Sequence, residues 1–396
     1  MRVGISSDFI GSSRSLVYDG KSYSWYSKIP KDVWTLGSKN YTHRNIEFVI
    51  DSVGEQISKS PCEIRKKIYK SLRNEEDDEF IPWSLVLDDG YFKTYIQNLL
   101  DQLWCFLNKW NDTYYMKALI DNRAFLESFK CAHVDLKKLE LYKSKERKNQ
   151  LRSFIPNSDG VLDKISYDQF GSQTGRLTVK SGPQILTLKK EFRDILKSRY
   201  KNGKIFEIDF VSMEPRVALS LIGKNPGDDV YISLSQDLFE NKYERDVIKL
   251  AVLSTLYGSK SLRGIDIEWQ EKRKIQAKIR DAFQIKKIEN NLLDQINKNG
   301  YIESRLGRRI FPKNKKKNIL YNNFIQSAAA DIALIAFKKM ISKISRDIEP
   351  LFVIHDAIIL DVSEEASCQI SEISSIDISY EGIEINLPVK ISILND

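Results

Sequence analysis

Two apolar runs near the C-terminus, 351–354 and Ala357–Val362, are separated only by His355 and Asp356. Their length and composition predict two buried strands joined by a hairpin turn, a position where aspartate is common. Burial of both flanks supports a second interpretation, because a charged carboxylate between buried strands needs a partner such as a cation or a metal. The sequence thus predicts a hairpin that carries Asp356 and leaves both roles open for that residue.

A second aspartate ends another predicted strand. Lys204–Phe210 alternates as a strand does, and Asp209 lies at its end, ahead of Glu214 and Pro215. Aspartate at such a junction is ordinarily a helix N-cap, and Pro215 suits the first turn of the helix that follows. If Asp209 and Asp356 met on neighbouring strands, they could instead hold two Mg²⁺ ions about 3.5–4 Å apart, as phosphoryl transfer requires.

The segment 245–258 carries functional residue types at steps of four: Arg245, Lys249, Leu253 and Tyr257, followed by Gly258. On a helix this spacing forms one gently drifting face. Two cations followed by an aromatic ring suit a surface that grips a triphosphate and stacks on a base. An amphipathic core helix that ends at a glycine C-cap explains the same pattern.

Three smaller elements carry groups suited to nucleic acid. A glycine turn contains Arg176, a basic turn contains Arg308 and Arg309, and Asn322 and Gln326 lie four residues apart on a predicted helix. Arginine suits backbone or minor-groove contacts, and amides can meet base edges or sugar. Solvated arginines and a capped helix explain each element equally well.

The remaining patterns give a coarse map of the chain. They predict strands at Ser15–Tyr18, 48–50 and 387–394, an acidic loop at 75–79, and helices at 91–110, within 111–155 and at 322–345.

Composition narrows the class of protein. The 396 residues suffice for two or three domains, and the net charge of +8 favours a polyanionic partner, although coding bias or a solvated surface explains it too. No apolar run approaches about 18 residues, and no secretory signal opens the chain. Four scattered cysteines and three histidines suggest neither disulfides nor zinc. We therefore expect a cytoplasmic protein without a membrane partner.

Together these segments resemble family A DNA polymerases, whose motifs run T-G-R-L, D-Y-S-x-x-E-x-R, R-x3-K-x7-Y-G, G-R-R, N-x3-Q and H-D-E. The resemblance covers roughly residues 111–396 and keeps the order and internal spacing of the motifs. The matching segments are Thr174-Gly-Arg176-Leu, Asp209-Phe-Val-Ser-Met-Glu214-Pro-Arg216, Arg245 with Lys249 and Tyr257-Gly258, Gly307-Arg308-Arg309, Asn322 with Gln326, and His355-Asp356.

The resemblance implies an α+β right-hand polymerase with an antiparallel palm sheet, helical fingers and a short helical thumb. The expected divisions are a small N-terminal region (1–110), thumb (111–165), palm (166–240 and 319–396) and fingers (241–318).

The resemblance also implies roles for the substrate side of the site. Asp209 and Asp356 would bind two Mg²⁺ ions, or Mn²⁺ in their place, and Glu214 would crowd a ribose 2′-OH. The other expected contacts are Arg245 and Lys249 on the triphosphate, with Lys249 protonating pyrophosphate, Leu253 on the same face of that helix, and Tyr257 with Gly258 at the templating position.

On the DNA side, the resemblance implies that Arg176 and Gln326 contact the minor groove of primer–template DNA and that His355 lies by the primer terminus. Asn322, Arg308 and Arg309 complete the expected DNA contacts.

Three positions depart from the family pattern. Ala357 stands where H-D-E has its third carboxylate, an auxiliary group in this family. Leu253 replaces the usual Phe or Tyr, which bears on discrimination at the 3′ position of the sugar. Leu186 stands where a glutamine follows T-G-R-L.

The expected activity is template-directed addition of dNTPs to a primer 3′-OH. A single-subunit RNA polymerase is the alternative within enzymes, and Glu214 argues against it. An inactive DNA-binding accessory protein is the other alternative, supported by the missing carboxylate.

Residues 1–110 show no D-x-E strand, so we expect neither proofreading nor a 5′-nuclease. This region could dock a processivity factor or brace the palm. We expect a compact monomer, a form that suits a phage or mobile element in a bacterial cell.

Overall fold

The computed structural model describes residues 1–30, 32–37, 45–53, 55–57, 61–73, 81, 83–110, 113–145, 150–259, 261–380 and 383–394. The predicted loop at 75–79 lies outside these residues. The chain divides into two compact units, Met1–Ala124 and Phe125–Asp396. No helix in the described part of the chain combines the length and apolarity needed to cross a membrane.

The first unit contains a mixed sheet in the order β3-β2-β1-β4, in which only β1 and β4 run parallel within the described residues. Its elements are β1 (Val3–Ile5), α1 (Ser7–Ile10), β2 (Ser15–Tyr18), β3 (Tyr23–Tyr26), β4 (Trp34–Leu36), α2 (Ile46–Val53), α3 (Glu63–Arg73), α4 (Trp83–Val86) and α5 (Asp89–Trp110).

The strand predicted at 48–50 is wrong, because these residues belong to α2. Ile46, Val49, Ile50 and Val53 are almost completely buried. Their spacing of three, one and three residues places them on one helical face, whereas a half-buried strand would repeat every second residue.

Helix α6 (Tyr114–Glu127) spans the division between the two units. The second unit continues with β5 (His133–Val134), α7 (Leu136–Lys145), β6 (Ser166–Asp168), β7 (Thr178–Ser181), 3₁₀ turns at Ile185–Thr187 and Lys190–Ile195, β8 (Leu196–Lys197), β9 (Lys204–Phe210), α8 (Met213–Ser220), α9 (Val230–Phe239), α10 (Arg245–Leu256), α11 (Trp269–Ala282), α12 (Ile285–Asn299), β10 (Ile302–Glu303), β11 (Arg309–Ile310), α13 (Lys317–Ile341), β12 (Ile348–Ile354), β13 (Ala357–Val362), α14 (Ser367–Ser371), β14 (Ser375–Tyr380) and β15 (Ile383–Ile393).

A five-stranded sheet organises the described residues of this unit, in the order β12-β13-β9-β15-β14. Every pairing in it is antiparallel. β9 lies at its centre. Of its residues only Lys204 is exposed, Asp209 is half-buried and the others are buried. The sheet and its surrounding helices confirm the α+β class and the antiparallel sheet expected of a palm.

Helix α13 packs against this sheet. The rings of Phe210 and Phe337 stack with centroids 4.7 Å apart, and Ala328, Ile332 and Ala336 are buried beside them. A helix that is apolar on most sides is stable when it is buried on most sides, as α13 is. The predicted helix 322–345 is thus confirmed in kind, although it begins earlier and ends earlier.

The predicted hairpin strands are also confirmed, and β12 is longer than expected. β14 was not predicted, although Ile376 and Ile378 alternate with polar residues and are buried. The boundaries predicted for thumb, palm and fingers stay a prediction.

Candidate active site

The sheet brings the two aspartates to one edge. Asp209 is the penultimate residue of β9 and lies opposite Ala357, the residue that follows Asp356. The Phe210 N–H donates to the Asp356 carbonyl at 3.1 Å, which closes the ladder beside the turn. His355 has a left-handed backbone (φ 56°), a conformation that two-residue hairpin turns use.

Partial burial disfavours the charged forms of both aspartates, and the charge of Asp356 adds to this effect at Asp209. Burial, and next the charge of Asp356, raises the pKa of Asp209 to about 6. Burial also raises the pKa of Asp356. Lys190 and Arg193 act on Asp209 in the opposite sense but do not outweigh burial, since both are bonded to Glu207.

Two such carboxylates suit a hard divalent cation, which prefers oxygen ligands. Mg²⁺ is commonly held by one or two carboxylates together with substrate phosphates and water, rather than by a closed protein cage. The described residues contain no group of three or more His, Cys, Asp or Glu side chains placed for a metal. The carboxylates of Asp209 and Asp356 fit the way Mg²⁺ is commonly held, with phosphate and water completing its ligands.

A cavity of about 250 Å³ lies beside the hairpin. Three small residues of α13, Ala329, Ala330 and Ala333, leave room for it on one side. Its lining gathers six of the residues singled out in the sequence: Arg176, Glu214, Tyr257, Gln326, His355 and Asp356.

Glu214 links three elements across this cavity. It lies in the first turn of α8, and its carboxylate accepts hydrogen bonds from the Arg176 guanidinium and the Tyr257 hydroxyl. Burial and the bond to Glu214 raise the pKa of Tyr257, so the phenol keeps its proton. Partial burial and the charge of Arg176 lower the pKa of His355, which favours its neutral form.

The face predicted on α10 is present, and it points away from the core. Lys249 is exposed, Leu253 is half-buried, and Tyr257 is 44% exposed. Tyr257 and Lys249 are about 12 Å apart along the axis, so only the C-terminal end of the helix reaches the cavity. The amphipathic interpretation also holds, because the opposite side of α10 is buried.

Gly258 follows the end of α10 at a position where a side chain would not fit. Its φ of +73° is left-handed, and a Cβ there would lie 2.6 Å from Nδ2 of Asn318.

Arg245, at the other end of α10, is held by Asp229. Its Nε lies 2.7 Å from Oδ2 of Asp229, whose carboxylate also caps α9 through the N–H groups of Tyr231 and Ile232. Asp229 thus fixes the first turn of both helices.

Arg308 differs from the exposed basic residue expected in the sequence. It is only 4% exposed, and its Nε and Nη2 donate to Asp331 at 2.9 and 2.6 Å. A Cβ on Gly175 would lie 2.5 Å from Cζ of Arg308, so this buried guanidinium supports the glycine turn from below. Contact with DNA would require a buried, bidentate ion pair to break, which is costly.

The other predicted DNA contacts occupy intermediate positions. Arg309 is half-buried, with its guanidinium 4.5 Å from the ring centre of Tyr301. Asn322 and Gln326 are half-buried on α13, and Gln326 lines the cavity. Contact of Arg309 and Asn322 with DNA stays a prediction.

Sequence reasoning missed a charged cluster next to Asp209. Glu207 is buried on β9, and it accepts hydrogen bonds from Lys190 at 2.6 Å and from Arg193. The available signal was a lone acidic residue two positions before Asp209 in an otherwise apolar strand, which places both carboxylates on one face.

Tyr167 is a second feature that the sequence did not indicate. Its buried hydroxyl donates to the Val353 carbonyl at 2.8 Å and accepts from the Val353 N–H at 2.9 Å. Tyr167 belongs to β6, which pairs with β7, and the turn containing Arg176 lies between these strands. One side chain therefore ties that turn to β12, just before His355.

Asp209→Asn is expected to raise the melting temperature by about 2 °C near pH 8. The folded pKa of about 6 exceeds the ordinary value of 3.8, so the folded state loses stability as pH rises between these values and stays penalised above them. Removing the charge removes that penalty. At about pH 4 the melting temperatures of the variant and the wild type should differ much less. Equal differences at both pH values would contradict a raised pKa for Asp209.

Comparison with known proteins gives matches to a family model and to solved structures. The family model for DNA polymerase family A matches residues 116–395. Among solved structures, the POL domain of Pol1 from M. smegmatis, in complex with DNA primer-template and dNTP, is similar at 18% sequence identity and a TM-score of 0.49. That similarity covers 88% of this chain and 62% of the other, so this chain spans less than two thirds of that structure. No curated protein sequence matches.

Proposed function

We propose that this chain, which belongs to DNA polymerase family A, extends a primer 3′-OH with dNTPs on a DNA template. The observation that carries the proposal is the meeting of Asp209 and Asp356 at one sheet edge, next to the cavity lined by Arg176, Glu214 and Gln326. Half-buried carboxylates next to a cavity that also presents charged and amide side chains are an arrangement that suits phosphoryl transfer.

In this proposal Asp209 and Asp356 hold two Mg²⁺ ions. Bound there, the ions would activate the attacking 3′ oxygen and neutralise the triphosphate. Lys249 is exposed on the face of α10 that ends at Tyr257, and in this proposal it would act as the general acid toward departing pyrophosphate. Arg245 would exchange its bond to Asp229 for one to a phosphate, which arginine binds well.

The remaining residues orient the substrates. Glu214 occupies the space beside the sugar and selects against a 2′-OH. Tyr257 presents an exposed ring at the end of α10 for stacking under the templating base. Arg176 and Gln326 face the cavity and would contact the minor groove, with His355 at the primer terminus.

Primer extension on a defined template, with and without a downstream strand, tests this proposal. We expect Mg²⁺-dependent extension with dNTPs and little with NTPs. A preference for NTPs would favour a single-subunit RNA polymerase. Template binding without any extension would favour an inactive accessory protein.

We also propose that the chain does not proofread. A labelled primer with a mismatched 3′ end, incubated with Mg²⁺ and no dNTP, is expected to keep its full length. A matched primer serves as the control for contaminating nucleases. Selective shortening of the mismatched primer would reveal an exonuclease site.

A further inference from the structure

We infer that Glu207 is a positioning residue that keeps Lys190 and Arg193 away from Asp209, so that Asp209 remains available to a metal ion. The inference rests on the proposed function, because it assumes that Asp209 is a metal ligand. It concerns a carboxylate that the family motifs quoted above do not include.

The geometry places Glu207 and Asp209 side by side. They are two residues apart on β9, so their side chains share one face of the sheet at a spacing of about 7 Å. On β13, Ile359 lies opposite Glu207 and Ala357 lies opposite Asp209. Because opposite residues share a face, Asp209 has the methyl group of Ala357 on one side and the exposed Lys390 of β15 on the other.

The two cations belong to one 3₁₀ turn, Lys190–Ile195, that approaches this face. Lys190 and Arg193 bind the two different oxygens of Glu207. The Glu207 side chain is 3% exposed, so both of its oxygens are committed to these partners. Both cations nevertheless act electrostatically on Asp209.

Loss of Glu207 would redirect these cations. Arg193, whose side chain is 14% exposed, would take the nearest carboxylate once its partner was lost, because an unpaired charge is costly away from water. Lys190, whose side chain is 62% exposed, could follow it or turn to solvent. Asp209 is the next carboxylate on the same face, and an ion pair there would compete directly with a metal ion. Since Ala357 supplies no substitute ligand, the carboxylates of the proposed metal site are those of Asp209 and Asp356.

The test is a titration of the full chain, without DNA, with Mn²⁺ alone, in which the free ion is measured by electron paramagnetic resonance. Glu207→Gln is expected to weaken Mn²⁺ binding roughly five- to tenfold. Glu191→Gln is the matched control, because Glu191 lies in the same turn, is 61% exposed and pairs with Lys189. It should bind Mn²⁺ as the wild type does.

A triple variant separates this role from a purely structural one. Adding Lys190→Met and Arg193→Gln to Glu207→Gln removes both cations that bind Glu207, so neither of them is left without its partner. We expect it to bind Mn²⁺ within about twofold of the wild type. This variant also carries the test if Glu207→Gln alone does not fold, and its thermal unfolding is measured alongside.

Wild-type affinity in a folded Glu207→Gln variant would overturn the inference, and so would weak binding in a folded triple variant. Asp209→Asn distinguishes a failure of the proposed function. If that variant binds Mn²⁺ as tightly as the wild type, the metal assignment itself is wrong and the inference falls with it. Weak binding by Asp209→Asn together with an unaffected Glu207→Gln would overturn the inference alone.

Discussion

Asp356→Asn is expected to lower the single-turnover rate of primer extension by roughly a thousandfold, about 4 kcal/mol of transition-state stabilisation. Asparagine has the size of aspartate, so the His355–Asp356 turn and the Phe210 bond to its carbonyl should persist. The loss should therefore fall on the chemical step. Rapid-quench kinetics with saturating dNTP and Mg²⁺ measures it.

The matched control is Asp347→Asn. Asp347 is exposed and immediately precedes β12, so its removal should leave the rate unchanged. Primer–template affinity should also survive in Asp356→Asn, because Arg176 and Gln326 are intact. Extension at the wild-type rate would show that Asp356 is not a metal ligand.

Glu214→Ala is expected to reduce the preference for dNTPs over NTPs, expressed as a ratio of kcat/KM values, by roughly a hundredfold. The Glu214 side chain is only 15% exposed and fills the space between Arg176 and Tyr257. Alanine would open that space to a ribose 2′-OH. Steady-state incorporation of matched dNTP and NTP on one template measures the ratio.

Glu214→Gln separates size from charge. Glutamine keeps the volume and can still accept from the Tyr257 hydroxyl, while the ion pair to Arg176 is lost. We expect this variant to retain most of the discrimination against NTPs and to lose some dNTP incorporation. An unchanged ratio in Glu214→Ala would contradict the steric role.

Residue spacing predicted the parts of the site that are local in sequence. The hairpin at Asp356, the strand end at Asp209 and the face of α10 each follow from a repeat over fewer than about 15 residues. The strand at 48–50 was wrong because three residues are too few to separate a period of 2 from one of 3.6.

The buried charges were not predictable in the same way. The pairing of Arg308 with Asp331 joins residues 23 apart, and Glu207 finds Arg193 14 residues away. An arginine that is exposed in a basic turn and an arginine that is buried beneath a neighbouring turn look alike in a sequence. Only the packing of α13 against the glycine turn decides which one Arg308 is.

The double hydrogen bond between Tyr167 and Val353 determines which parts of the cavity wall are fixed relative to one another. It joins the turn that carries Arg176 to the hairpin that carries Asp356, so these two residues keep a fixed separation. Tyr257 lines the same cavity from the end of a separate helix, and its hydroxyl donates to the Glu214 carboxylate. In the proposed polymerase, adjustment to different incoming bases would therefore fall to α10, because the turn with Arg176 and the hairpin with Asp356 are held together.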